Sequence, residues 1–132
     1  MENRRQTYRH SFDPHEALRA ELSLPGQRAA LACVLLDLSL GGGRVQLREP
    51  PGTLRIGDSV VFRLLGRSDP EPVELTLALR SQVVYLWQHG EEWHCGIRFL
   101  PSADTRANDQ IERTLSNFLL AEQRRKRRKA EG

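Results

Sequence analysis

The stretch from Trp93 to Phe99 constrains the fold more than any other part of the chain. Trp93, Cys95, Ile97 and Phe99 alternate strictly with His94, Gly96 and Arg98. Successive side chains of a strand point to opposite faces, so this period of two describes a strand with one face buried and one wet. The same period recurs upstream. Leu18, Ala20, Leu22 and Leu24 alternate with Arg19, Glu21 and Ser23, and Val45 and Leu47 with Arg44, Gln46 and Arg48. Val60, Phe62 and Leu64 form another such face. Leu75, Leu77 and Leu79 alternate with Thr76, Ala78 and Arg80, and that strand runs on through Val83-Val84-Tyr85. Ala29 to Leu36 is apolar without a break, the pattern of a strand covered on both faces or of a central one. Leu54 and Ile56 read as a brief extended segment. Pro25-Gly26, Pro50-Pro51-Gly52, Gly57-Asp58, Asp69-Pro70-Glu71-Pro72 and His89-Gly90-Glu91 supply turns between these runs.

Beyond Pro101 the period changes. Ile111, Leu115, Phe118 and Leu119 share one face of a helix, and Ser102 or Asp104 can cap its start. Six or seven strands followed by one helix predict a mainly β fold, a small antiparallel β-barrel with a C-terminal α-helix. A length of 132 residues is enough for one such domain.

The net charge of +3 points toward nucleic acid only until its distribution is read. Six basic residues form the run Arg124-Arg125-Lys126-Arg127-Arg128-Lys129, and without residues 124–132 the chain carries 14 basic and 16 acidic residues. The basicity is therefore a tail, either a solvated helix end or a contact for RNA, lipid headgroups or an acidic partner. No DNA partner is expected. Aromatic residues are few and do not interleave with the basic ones, as a single-strand-binding face requires. Cys33 and Cys95 lie in apolar stretches without metal-ligand spacing and read as small buried hydrophobes. His10, His15, His89 and His94 are scattered, and His10, beside Arg9, reads as solvated in preference to a ligand contact. No apolar run approaches the roughly 20 residues of a transmembrane helix, and no apolar signal core follows Met1-Glu2-Asn3-Arg4-Arg5. The expectation is a cytoplasmic protein.

Two clusters are not explained by core packing. Arg4, Arg5 and Arg9 place three guanidinium groups before the first strand, and Asp37-Leu38-Ser39-Leu40-Gly41-Gly42-Gly43 is a polar turn leaving an apolar one. Singly, each has an ordinary reading: a solvated N-terminus, and a tight turn whose glycines take positive φ. Together and in this order they resemble the PilZ family, whose motifs are Arg-Arg-x-x-x-Arg and Asp/Asn-x-Ser-x-x-Gly. Arg4, Arg5 and Arg9 match the first, Asp37, Ser39 and Gly42 the second. Gly96-Ile97-Arg98-Phe99 is similar to the family's Gly-hydrophobic-x-Phe strand. The resemblance covers about residues 4–100.

It implies a PilZ-like barrel over residues 13–101, a flexible N-terminal arginine arm over 1–12 and a helix with a basic tail over 102–132. It also implies a receptor for the bacterial second messenger cyclic di-GMP, with no other cofactor, no metal and no catalysis. The arginine fork fits the adjacent O6 and N7 acceptors of guanine, so the resemblance assigns guanine edges and phosphates to Arg4, Arg5 and Arg9. Asp37 would accept from the guanine N1–H and N2 amine, Ser39 would donate to a phosphate, and Gly42 would admit the ligand close to the backbone. The arm would order on binding and relay the signal to an unidentified protein partner in motility, exopolysaccharide or biofilm control. The Arg4-Arg5 doublet suits either one ligand molecule or a stacked pair. The competing function is a PilZ-like or small-barrel adaptor that binds no nucleotide and acts through protein or RNA contacts of its basic tail. An enzyme is the weakest reading. Ser39 has no His and acid partners in order, and the Gly41–Gly43 run lacks the Lys-Ser/Thr of a phosphate-binding P-loop.

Overall fold

The computed structural model describes residues 10–12, 18–67 and 73–131. Arg4, Arg5, Arg9, His15 and the Asp69–Pro72 loop lie outside the described residues. Seven strands follow one another: β1 (His10–Ser11), β2 (Arg19–Ser23), β3 (Leu31–Leu38), β4 (Gly42–Leu47), β5 (Ser59–Arg67), β6 (Val73–His89) and β7 (Glu92–Phe99). One helix, α1 (Thr105–Glu131), comes last.

All pairings are antiparallel. The strand order β2-β5-β6-β7-β4 returns through β4 to β3, and β3 pairs β2, which closes a six-stranded barrel. The remaining strand, β1, lies on the end of β3, with His10 opposite Leu38 and Ser11 opposite Asp37. Closure removes the free edges that an open sheet of this size would expose.

The alternating residues fill the interior. Leu18, Leu22, Leu35, Leu38, Val45, Phe62 and Leu64 are wholly buried, and Leu115, Phe118 and Leu119 of α1 join the same cluster. Asp104 caps the helix by accepting the Arg106 N–H at 2.9 Å. Ser102 contributes too: its hydroxyl accepts the Asp104 N–H at 3.1 Å, and its backbone is bracketed by the Asn108 amide at 2.7 and 2.8 Å. Both expected caps are therefore used.

Four readings from the pattern are corrected. Leu54 is a core residue, but Ile56 is 62% exposed, and the chain between them turns instead of pairing. His10 is buried at 4% exposure instead of solvated, its ring against Phe12 at 4.6 Å. Phe12 in turn meets Phe118 at 6.3 Å, so residues 10–12, read as part of a flexible arm, belong to the packed fold. Arg125 is not a solvated tail residue: it is buried with Glu122, Nη2 and Nε each 3.2 Å from one carboxylate oxygen. The apolar stripe of α1 thus continues as an ion pair, and the helix itself runs to Glu131.

Candidate functional site

The site begins at a break in register. The pairing of β3 with β4 slips between Leu35 and Asp37, so Leu36 is an extra residue in its strand. A bulge of this kind re-aims the side chains beyond it. Val45 and its partner Leu35 face the core, whereas Asp37 is set opposite Arg44 on the outer face. Arg44 Nε lies 3.1 Å from Asp37 Oδ2, an ion-pair contact whose angle falls outside hydrogen-bond geometry. Asp37 is only 2% exposed, while the Arg44 side chain remains about a third open.

Ser39 closes the turn that follows. Its N–H donates to the Gly42 carbonyl at 2.8 Å, its hydroxyl donates to the same oxygen at 3.3 Å, and it accepts the Gly41 N–H at 3.3 Å. The Phe99 N–H donates to Gly41 O at 2.8 Å, fastening the turn to β7. None of the three consecutive glycines is among those with positive φ, contrary to the expectation for a tight turn. The need is for space. A Cβ on Gly42 would collide with the Ile97 carbonyl oxygen, and one on Gly43 would come within 2.8 Å of the Asp37 carbonyl oxygen.

Strand β1 sets the residues that directly follow the first motif in sequence beside the second. Its first residue, His10, follows Arg9 directly and pairs with Leu38 in the middle of the second motif. The strand is only two residues long, so no periodicity in the sequence announces it. Asp37, Ser39 and Gly42 are thereby collected at the end of β3 and the start of β4. Of the arginines expected to join them, the structure describes none, but it fixes where their chain enters the fold.

Further groups on the same outer face were missed or left aside by the sequence. Gly96 pairs with Arg44 on one side and with Tyr85 on the other, and the Tyr85 ring occupies the space a Cβ on Gly96 would need. Tyr85, Trp87 and His94 then stack along the β6–β7 hairpin, at ring separations of 5.6 and 4.9 Å. A second bulge, between Val83 and Tyr85, turns these rings outward. Arg98 stands opposite Gly42, and its Nη2 donates to Gln82 Oε1 at 2.6 Å. Among the described residues no group of three metal-ligating side chains comes together. Cys33 and Cys95 are free thiols, and burial raises both well above their ordinary range, to about 12.

The closed barrel, the Asp-x-Ser-x-x-Gly turn and the chain entering beside it define a class of small β-barrel binding domain. The model of the PilZ domain matches residues 3–117, and the chain belongs to the PilZ domain family. Solved structures with the same fold include the PilZ domain of YcgR from Escherichia coli with c-di-GMP. That likeness has a TM-score of 0.74 at 21% identity and covers 98% of each chain. YcgR from the same organism in complex with c-di-GMP matches at TM-score 0.69 and 22% identity, over 97% of this chain and 50% of that one. The Bacillus subtilis inhibitor of motility MotI/DgrA matches at TM-score 0.66 and 16% identity, over 94% of this chain and 53% of that one. This chain thus spans about half the length of YcgR and of MotI. No curated protein matches it in sequence.

Proposed function

We propose that this PilZ domain is a cyclic di-GMP receptor without catalysis of its own, and that Arg4, Arg5, Arg9, Asp37, Ser39 and Gly42 form its ligand site. The observation that carries the reading is the pairing of His10 and Ser11 with Leu38 and Asp37. It ties the chain immediately after Arg9 to the second motif, although the two are separated by about thirty residues of sequence. Family membership and the c-di-GMP complexes among the structural neighbours support the same ligand.

The chemistry divides between the arm and the turn. The three arginines offer planar forks to guanine edges and charge to phosphates, a combination lysine cannot copy. Asp37, held by Arg44, offers a carboxylate to the N1–H and N2 amine of a guanine, which adenine cannot match. Ser39 reaches a phosphate by releasing Gly42 O, a carbonyl that keeps its 2.8 Å bond from the Ser39 N–H and is not orphaned by the exchange. Gly42 serves by letting β4 approach β7, which sets the shape of the turn. Ordering of residues 1–9 over the turn consumes part of the binding energy. It also builds a composite surface of arm, ligand and barrel, through which the domain relays the signal to a protein partner, in the cytoplasm where such messengers act. Motility, exopolysaccharide and biofilm control are the processes proposed for that relay. Among the described residues no helix is long and apolar enough to cross a membrane.

Isothermal titration with cyclic di-GMP, against GTP and cyclic di-AMP, tests the reading. Saturable heat from cyclic di-GMP alone, lost in Arg5→Ala and Arg9→Ala, is the expected result, and its stoichiometry distinguishes one ligand molecule from two. No heat from the parent chain overturns it in favour of an adaptor that binds no nucleotide.

A further inference from the structure

Resting on the receptor reading, we propose that Arg98, outside both motifs, is a further ligand contact that grips a phosphate of the cyclic dinucleotide from the β7 side of the turn. Three features of the structure point to it. The first is position. Arg98 pairs with Gly42, the last residue of the second motif, and the Phe99 N–H that follows it holds Gly41 O. In the alternation of β7, Ile97 faces the core and Arg98 faces out, as does Gly96 opposite Arg44. Arg98 therefore shares the outer face of Asp37 and Arg44. Along the sheet, β1 to β7 spans three inter-strand steps, about 14 Å, the scale of a cyclic dinucleotide. Strand β1 lies at one end of that span and Arg98 stands at the other, with the turn between them.

The second feature is charge. Arg98 is exposed, and no carboxylate of the described residues forms an ion pair with it. Arg44 and Arg125 each face a carboxylate, whereas Arg98 meets the neutral amide oxygen of Gln82. A cation left uncompensated at the rim of a binding turn attracts an anion.

The third feature is preorganisation. Long arginine side chains lose rotamer freedom when they bind, which weakens the contact they make. Here the guanidinium is held at 2.6 Å by Gln82, whose own Nε2 points to Gly57 O at 3.5 Å. One N–H of the fork is used by that bond, leaving the remaining donors for a phosphate. Gln82 is a positioning residue in this arrangement.

The test is titration of cyclic di-GMP into the full chain and into Arg98→Ala, Arg98→Lys and Gln82→Ala, with thermal melts in parallel. Arg98→Ala should bind about tenfold more weakly with an unchanged melting temperature. Arg98→Lys, which keeps the charge but not the fork held by Gln82, should fall between the parent and Arg98→Ala. Raising ionic strength should weaken the parent more than Arg98→Ala, because the screened contact is absent from the variant. Gln82→Ala should lose a smaller factor, with the parent's ionic-strength dependence retained. A parent that binds while Arg98→Ala binds within about twofold of it sinks this proposal alone. Arg98→Lys as weak as Arg98→Ala overturns the phosphate assignment. A parent that binds no cyclic di-GMP removes the receptor reading, and this proposal with it.

Discussion

Replacing Asp37 with alanine should cost stability even in the absence of ligand. In the sequence Asp37 belongs to a polar turn, where nothing marks it as buried. In the structure it is 2% exposed and faces Arg44 at 3.1 Å, so removal leaves a half-buried guanidinium without that partner. Because Arg44 is partly open to water, which screens the pair, the expected loss is about 1–2 kcal/mol, read as a lower urea midpoint with an unchanged slope. Gly42→Ala should cost about 1–3 kcal/mol, since its Cβ meets backbone that cannot swing away. Urea unfolding of the ligand-free variant checks this, and an unchanged midpoint would mean that β4 and β7 can separate freely at Gly42. Asp37, Ser39 and Gly42 were legible as a group because they lie within six residues of one another. Their burial was not, because it depends on the extra residue at Leu36, and a bulge leaves no mark in an alternation already broken by polar residues.

At the scale of elements, periodicity located the strands it could act on. Each run with four or more alternating residues became a strand, and the stripe from Ile111 to Leu119 became the buried face of α1. What escaped was too short or set by distant partners. The two residues of β1 pair only because Leu38 and Asp37 are already in place, and Ile56 turns outward because the backbone of Gly57 and Asp58 bonds to Val83. The basic run along α1 shows the same limit. Nothing in a six-residue cationic run marks Arg125 as the member that turns inward to Glu122. Phe118 joins these elements, packing with the barrel core and with Phe12 just after β1. Phe118→Ala should therefore destabilise the domain by about 3–5 kcal/mol. Amide exchange should rise at His10 and Ser11 more than at the β5–β6 pairing. Equal protection of β1 in the variant and the parent would show that α1 does not hold the entry of the arm.

For the molecule as a whole, closure of the barrel makes the two thiols reporters of its integrity. Cys33 on β3 and Cys95 on β7 flank β4 and are almost wholly buried, so neither reaches solvent unless strands part. Burial raises each thiol from its usual 9 to about 12, and for Cys33 the neighbouring Cys95 adds to the shift. A folded-state value above the unfolded one means that the folded chain keeps protons the unfolded chain has released. The stabilisation is complete below pH 9 and drains as pH climbs toward 12, at up to about 1.4 kcal/mol per pH unit for each thiol. Stability should accordingly fall steeply on the alkaline side, and the double variant Cys33→Ala, Cys95→Ala should show a flatter fall over the same window despite starting lower from its two small cavities. Urea unfolding at intervals from pH 8 to pH 11 measures both slopes. Parallel alkaline limbs in the two proteins would mean that the thiols ionise without unfolding, which a closed barrel with Cys33 and Cys95 in its interior does not permit.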